Sequence, residues 1–268
     1  DVLQGSHRAA RRINVTASFN CAHSTGLPAA CRHDVMTWRP AGVNPFSLQK
    51  RWLSSLLALL LLVAPNLGAG WDFNTINSRT QRLYGPTTPT AQRNIDAWEA
   101  LLKQPPSSDI HATLNRVNQF FNSRIRFTDD ISVWGQQDYW ATPVEALRKG
   151  AGDCEDYAIA KYFTLRQLGV PASQLRITYV KALQLNQAHM VLTWYSAPDA
   201  VPLVLDNLKP NILPASARSD LLPVYSFNGE GLWIPQASGS KRVGDSKKLS
   251  RWQDLLTRMR AEGFVINE

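Results

Sequence analysis

A cysteine at the head of a helix, a histidine opening a strand and an aspartate closing the next strand can together make or break an amide bond. The chain contains one arrangement of this kind. Cys154 stands in the run Gly152-Asp153-Cys154-Glu155-Asp156. Ile159, Tyr162, Phe163 and Leu168 follow at helical spacing, and Gly169 and Pro171 stop the helix. A thiol in that place meets unsatisfied backbone N–H groups and the positive end of the helix dipole, which favour a thiolate. The same N–H groups suit an oxyanion. The base must be a histidine, and of the five in the chain only His111 and His189 lie beyond residue 69. His111 falls among polar helical neighbours and reads as a surface residue. His189 opens the strand candidate HMVLTWY. Ser196-Ala197-Pro198-Asp199 then reads as a four-residue turn, which sets 195 opposite 200 and His189 opposite Asp206. Directly opposed Cβ atoms lie about 4.5–5.5 Å apart, so Asp206 can accept one imidazole N–H and leave the other nitrogen for the thiol. Nucleophile, base and orienter are then Cys154, His189 and Asp206.

The elements that must hold these groups follow from periodicity. Residues 71–89 read as a lead-in broken by Gly85, Pro86 and Pro89. A helix from about Thr90 carries Ile95, Trp98, Leu101 and Leu102, and another from near Asp109 carries Leu114, Val117, Phe120 and Phe121. Thr142-Pro143-Val144-Glu145 is a capping box with proline at the first helical position, and that short helix closes at Gly150. Beyond Cys154's helix the period becomes two, with strand candidates at 176–183, 189–195, 201–206, 223–227 and 232–234. The basic stretch 238–248 reads as a solvated turn before a last helix from Ser250 that carries Trp252, Leu255, Leu256 and Met259. The expectation is an α+β domain, N-terminal helices on an antiparallel sheet.

Composition narrows the classes. With 44% hydrophobic and 19% charged residues the chain is neither disordered nor collagen-like. The net charge is +8, yet residues 1–69 hold seven basic and two acidic residues, leaving 22 and 19 for the rest. The body is only mildly basic and lacks an Arg-rich helix, so no nucleic acid partner is expected. Leu53 to Ala64 is a 12-residue apolar run behind Lys50 and Arg51, too short to span a bilayer and suited to a secretory signal. Cleavage is placed after Ala69. The first methionine is Met36, so residues 1–35 read as an upstream extension, 36–69 as the signal peptide and 70–268 as the enzyme domain. The alternative is an uncleaved membrane anchor; after signal cleavage no stable membrane insertion is expected. Of three cysteines, Cys21 and Cys31 fall in the leader, so the exported body keeps a single thiol and no internal disulfide.

The run Gly152-Asp153-Cys154-Glu155-Asp156-Tyr157-Ala158, with Tyr139-Trp140-Ala141-Thr142-Pro143 upstream and Gln187-Ala188-His189 and Leu205-Asp206-Asn207 downstream, resembles the bacterial transglutaminase-like cysteine proteinases. The resemblance covers approximately residues 71–235. It implies a papain/transglutaminase-like fold, a periplasmic location, and the roles of nucleophile, base and orienter for Cys154, His189 and Asp206. It also implies a calcium requirement. As substrate it implies a large RTX-type adhesin, cut after a paired alanine near its N-terminus and so released in biofilm dispersal. As inhibitor it implies an inner-membrane receptor for cyclic di-GMP. Asp153, Glu155 and Asp156 would raise the pKa of a neighbouring thiol. Read alone, these acids answer the helix dipole; with the resemblance, they become calcium ligands that a hard cation would neutralise, with Asp138 and a backbone carbonyl near Tyr139 completing the shell. Two competitors stay open: a transglutaminase or peptidoglycan amidase using the same thiol, and an exported binding module whose thiol is inert.

Overall fold

The computed structural model describes residues 70–268 except 106, 237 and 238. The expected extension and signal peptide lie outside the described residues. Three helices come first: α1 (Phe73–Tyr84), α2 (Pro89–Leu102) and α3 (Ile110–Arg124). The stretch expected to be a broken lead-in is therefore mostly helix. Asp72 caps α1 by accepting the Asn74 N–H at 3.0 Å, and Phe73, Ile76 and Thr80 turn inward. β1 (Arg126–Phe127), α4 (Asp130–Trp134), α5 (Pro143–Lys149) and β2 (Ala151–Gly152) lead to α6 (Cys154–Gln167). The capping box of α5 forms as its sequence requires: Glu145 N–H donates to Thr142 Oγ1, and Thr142 N–H donates to Glu145 Oε2 at 2.8 Å.

Seven strands follow: β3 (Leu175–Ala182), β4 (Gln187–Trp194), β5 (Leu203–Leu205), β6 (Leu213–Pro214), β7 (Leu221–Asn228), β8 (Gly231–Gln236) and β9 (Gly239–Gly244). They form one antiparallel sheet in the order β6-β5-β4-β3-β7-β8-β9. The stretch expected to be a solvated turn supplies β9, an exposed edge strand whose Lys241 and Arg242 discourage further pairing. Helix α7 (Ser250–Glu262) completes the chain.

Alternation along the strands makes two faces. Ile177, Met190, Leu192 and Leu205 join the helices in the main core around Trp98, Phe121, Ile159, Phe163 and Trp252. Val180, Val191 and Val204 form a smaller cluster on the other face. Burying α6 side chains such as Ile159 and Phe163 contributes about 1.5–3 kcal/mol each. Trp252 of α7 stacks on Phe163 with centroids 5.4 Å apart, which closes the core around α6.

Candidate active site

The head of α6 is built by a close approach. β2 pairs in parallel with β1, Ala151 with Arg126 and Gly152 with Phe127, and delivers the chain to Asp153, the N-cap. The fully buried Asp156 turns back on this turn. Its Oδ1 accepts the Ala141 N–H at 2.7 Å and its Oδ2 the Asp153 N–H at 3.3 Å. Gly152 leaves the room for that carboxylate: a Cβ there would lie 2.4 Å from Asp156 Oδ2. Asp156 thus fixes the loop before α5 and the first turn of α6 to each other.

Cys154 occupies the first helical position, partly buried, and its thiol donates to Glu155 Oε2 at 3.0 Å. Burial pushes the thiol well above its ordinary range, and the charges of Glu155 and Asp153 push the same way. The backbone N–H of Met190 acts against them, close enough to stabilise a thiolate. Met190 follows His189 in β4, the strand against which α6 packs.

Around this thiol the acids are tightly gathered. Ligand atoms of Asp153, Cys154 and Glu155 lie within 4.8 Å of one another, and so do those of Asp130, Asp153 and Asp156. Burial, then repulsion among them, raises Asp130 to about 6 and Asp153 to about 8 and lifts Asp156, and burial lifts Glu155 against its hydrogen bonds with Asp153 and Cys154. Asp130 Oδ2 accepts the Tyr139 N–H at 2.5 Å, while Asp130 Oδ1 and Asp153 Oδ1 are buried without a hydrogen-bond partner among the described residues. Oxygen donors, crowded charge and orphaned carboxylate oxygens fit a hard divalent cation. Asp138, the expected fourth ligand, is exposed, pairs with Arg251 at 2.6 Å and accepts Trp140 Nε1–H; its charge reaches Asp153 and Asp130, though it lies outside both groups. Asp130, absent from the sequence reading, joins the acids instead. Its one local signal is the Asp129-Asp130 pair that opens α4.

The hairpin register differs from expectation. Leu192 pairs with Leu205, Thr193 with Val204 and Trp194 with Leu203, so the loop is residues 195–202 and the pairing is two residues out of step. Pro202 has no N–H to give a ladder, and its carbonyl instead accepts the Ala215 N–H at 2.8 Å. A shift of two keeps every side chain on its face. His189 and Asp206 therefore still meet, diagonally, with Nε2 and Oδ1 2.8 Å apart. Burial alone would raise Asp206, but the bonds from His189, Leu208 N–H and Arg218 outweigh it and hold the carboxyl at about 2. An ionised carboxylate only accepts, so the proton sits on Nε2 and Nδ1 is left as the basic nitrogen. His111 is exposed, as expected.

Two further cations, unread in the sequence, surround this pair. Arg218 Nη2 donates to Asp206 Oδ2 at 2.6 Å and to Asp220 Oδ2 at 2.9 Å. Lys161 of α6 is buried; desolvation lowers it to about 7, with Asp206 partly offsetting. Arg218 lies in the loop run ASARSD, which has no periodicity to betray it.

Residues 96–227 match the family model described as bacterial transglutaminase-like cysteine proteinase BTLCP. Among solved structures, Legionella pneumophila LapG is 44% identical with a TM-score of 0.60, over 71% of this chain and 99% of that one. Its EGTA-treated form gives 44%, 0.62, 71% and 100% for the same measures, and its calcium-bound form 44%, 0.58, 68% and 98%. No curated protein sequence matches. With identity at this level across nearly the whole length of those structures, on a fold that packs the helix headed by Cys154 against the strand carrying His189, the chain belongs to the bacterial transglutaminase-like cysteine proteinases.

Proposed function

We propose that this protein is a calcium-dependent periplasmic endopeptidase in which Cys154 is the nucleophile, His189 the base and Asp206 its orienter. The observation that carries the reading is a buried histidine whose Nε2 is committed to Asp206 at 2.8 Å, on the strand against which the helix headed by Cys154 packs. Nδ1 of His189 takes the thiol proton, and the sulfur attacks the scissile carbonyl. The N–H groups at the head of α6 would receive the resulting oxyanion. His189 then returns its proton to the leaving amine, and water hydrolyses the thioester by the reverse steps.

Asp130, Asp153, Glu155 and Asp156 would hold the calcium ion, with backbone carbonyls or water filling the six to eight positions it prefers. Bound there, calcium supplies the positive charge that offsets the acids bracketing the nucleophile. Without the ion the Glu155 carboxylate accepts from the thiol; held by calcium, it would leave that proton to His189.

As substrate we propose the N-terminal segment of a large RTX-type adhesin, whose release would promote biofilm dispersal. A LapD-like inner-membrane cyclic di-GMP receptor would be the inhibitor. Export would use the apolar run 53–64 as a signal, with the enzyme domain beginning at 70. Among the described residues no helix is long and apolar enough to cross a membrane.

The test is to incubate the purified protein with that adhesin segment and analyse the products by mass spectrometry. The expected outcome is one peptide-bond cut at a small-residue pair in calcium, none in EGTA, and none with Cys154→Ala at an unchanged circular dichroism spectrum. Cleavage by Cys154→Ala near the wild-type rate overturns the assignment, as do glutamyl–lysyl cross-links or trimmed muropeptides as the sole products.

A further inference from the structure

We propose that Arg218 is a positioning residue, clamping the Asp206 carboxylate so that one of its oxygens is always turned to His189; this rests on the catalytic reading above. Asp206 is enclosed, with none of its side chain exposed, and its two oxygens have separate duties. Oδ1 accepts from His189 Nε2 at 2.8 Å and from Leu208 N–H at 3.0 Å, and Oδ2 accepts from Arg218 Nη2 at 2.6 Å.

Arg218 is itself 2% exposed and held from behind. Its Nε donates to Asp220 Oδ1 at 3.0 Å, Nη2 also reaches Asp220 Oδ2, and Lys209 Nζ braces Asp220 at 3.2 Å. The backbone fixes the clamp as well. A 3₁₀ turn, Ala215–Ala217, sets Arg218, whose N–H donates to Ala215 O, and Leu183 N–H at the end of β3 donates to Asp220 O at 2.8 Å.

The planar guanidinium holds Nη2 between the two carboxylates while Nε anchors it to Asp220, whereas an ammonium is a point charge on a flexible stem with no second, fixed anchor. Without the fork, Oδ2 becomes a buried acceptor with no donor. The carboxyl then rotates or takes up a proton, and a protonated Asp206 no longer fixes the proton on Nε2. Arg218 therefore acts on the reaction through Asp206.

The test is a double-mutant cycle on the full chain with calcium present at neutral pH. Arg218→Met and Arg218→Lys are each made alone and on Asp206→Asn. The readouts are the iodoacetamide alkylation rate of Cys154, followed by peptide mass spectrometry, and kcat and KM for the adhesin segment. Arg218→Met should lower alkylation and kcat by about 10²-fold with KM nearly unchanged, yet by less than about threefold once Asp206 is Asn. Arg218→Lys should recover part of the loss. Equal losses in both backgrounds overturn the proposal, because they mean that Arg218 only supports the fold; unchanged kcat in Arg218→Met overturns it too. If Arg218→Met does not fold, Asp220→Asn takes its place, with about a tenfold loss that disappears on Asp206→Asn, and equal losses again overturn. Cys154→Ala and Asp206→Asn run beside it report on the catalytic reading. Full cleavage by either overturns that reading and this proposal together, whereas their inactivity with additive losses overturns the role of Arg218 alone.

Discussion

Replacing Gly152 by alanine should destabilise the protein far more than a surface substitution. A Cβ at this position would sit 2.4 Å from Asp156 Oδ2 and 2.9 Å from Asp156 Cβ. Those atoms belong to a fully buried residue in the first turn of α6, so they cannot swing aside as a long side chain would. To make room the carboxylate must leave the Ala141 N–H, and stranding that buried donor costs about 1–3 kcal/mol. The overpacking itself costs about 1–3 kcal/mol, and the reduced entropy of the unfolded chain returns about 0.4–1 kcal/mol. The net loss is about 3 kcal/mol, or roughly 6–12 °C in melting temperature for a domain of this size. Thermal unfolding followed by circular dichroism measures it, and cleavage should fall in parallel because Cys154 rides on the displaced turn. On an Asp156→Gly background the obstructing atoms are gone, so the alanine should cost little. A loss below about 1 kcal/mol, or the same loss in both backgrounds, would refute the steric argument.

Asp206→Asn should lower kcat by roughly 10²–10⁴ through loss of tautomer control and imidazolium stabilisation, with KM little changed; steady-state kinetics showing normal turnover would disqualify Asp206 as orienter. Asp153→Ala and Glu155→Ala should fail to bind calcium by calorimetry and should be inactive, and magnesium should replace calcium poorly because it demands tighter octahedral geometry. Equal calcium affinity in wild type and both variants would move the ion away from α6. Burial, then the charge of Glu145, lifts Glu262 from 4.5 to about 8. A raised carboxyl stabilises the fold fully below its unfolded pKa and loses that contribution as pH climbs through its folded one. Glu262→Gln should therefore show a shallower fall in melting temperature between about pH 5 and pH 9 than wild type, and parallel curves would reject the assignment.

The helices facing the core were readable because Ile95, Trp98 and Leu101, or Leu114, Val117 and Phe121, repeat at the helical period and are buried in the structure. The Cys154 helix was readable for its ends more than its faces: Asp156, Lys161 and Thr164 are buried beside its apolar residues, which blurs any stripe. Helix α1 was missed although Asp72, Phe73 and Ile76 carry a cap and a face, because the prolines after it dominated the reading. In the β4–β5 hairpin, Val201-Pro202 looks strand-like by composition while proline cannot join the ladder. The error was two residues, and the His189–Asp206 contact survived it because an even slip preserves the face. Asp130 and Arg218 were beyond a sequence reading. Their meaning comes from partners on other elements, Asp153 and Asp156 for one, Asp206 for the other, and no spacing rule links them.

The bond from the Cys154 thiol to Glu155 bears on how readily the sulfur is oxidised. Oxidants and disulfide partners attack the thiolate, and a thiol whose proton is shared with a buried carboxylate offers little of it. Kept in chelator, the protein should resist conversion to sulfenic acid. On the mechanism proposed above, Glu155 held by calcium would release the sulfur to His189, so readiness for catalysis and vulnerability to peroxide would arrive together. Under oxidant, the working lifetime of the enzyme would then be set by how long its acids keep the ion.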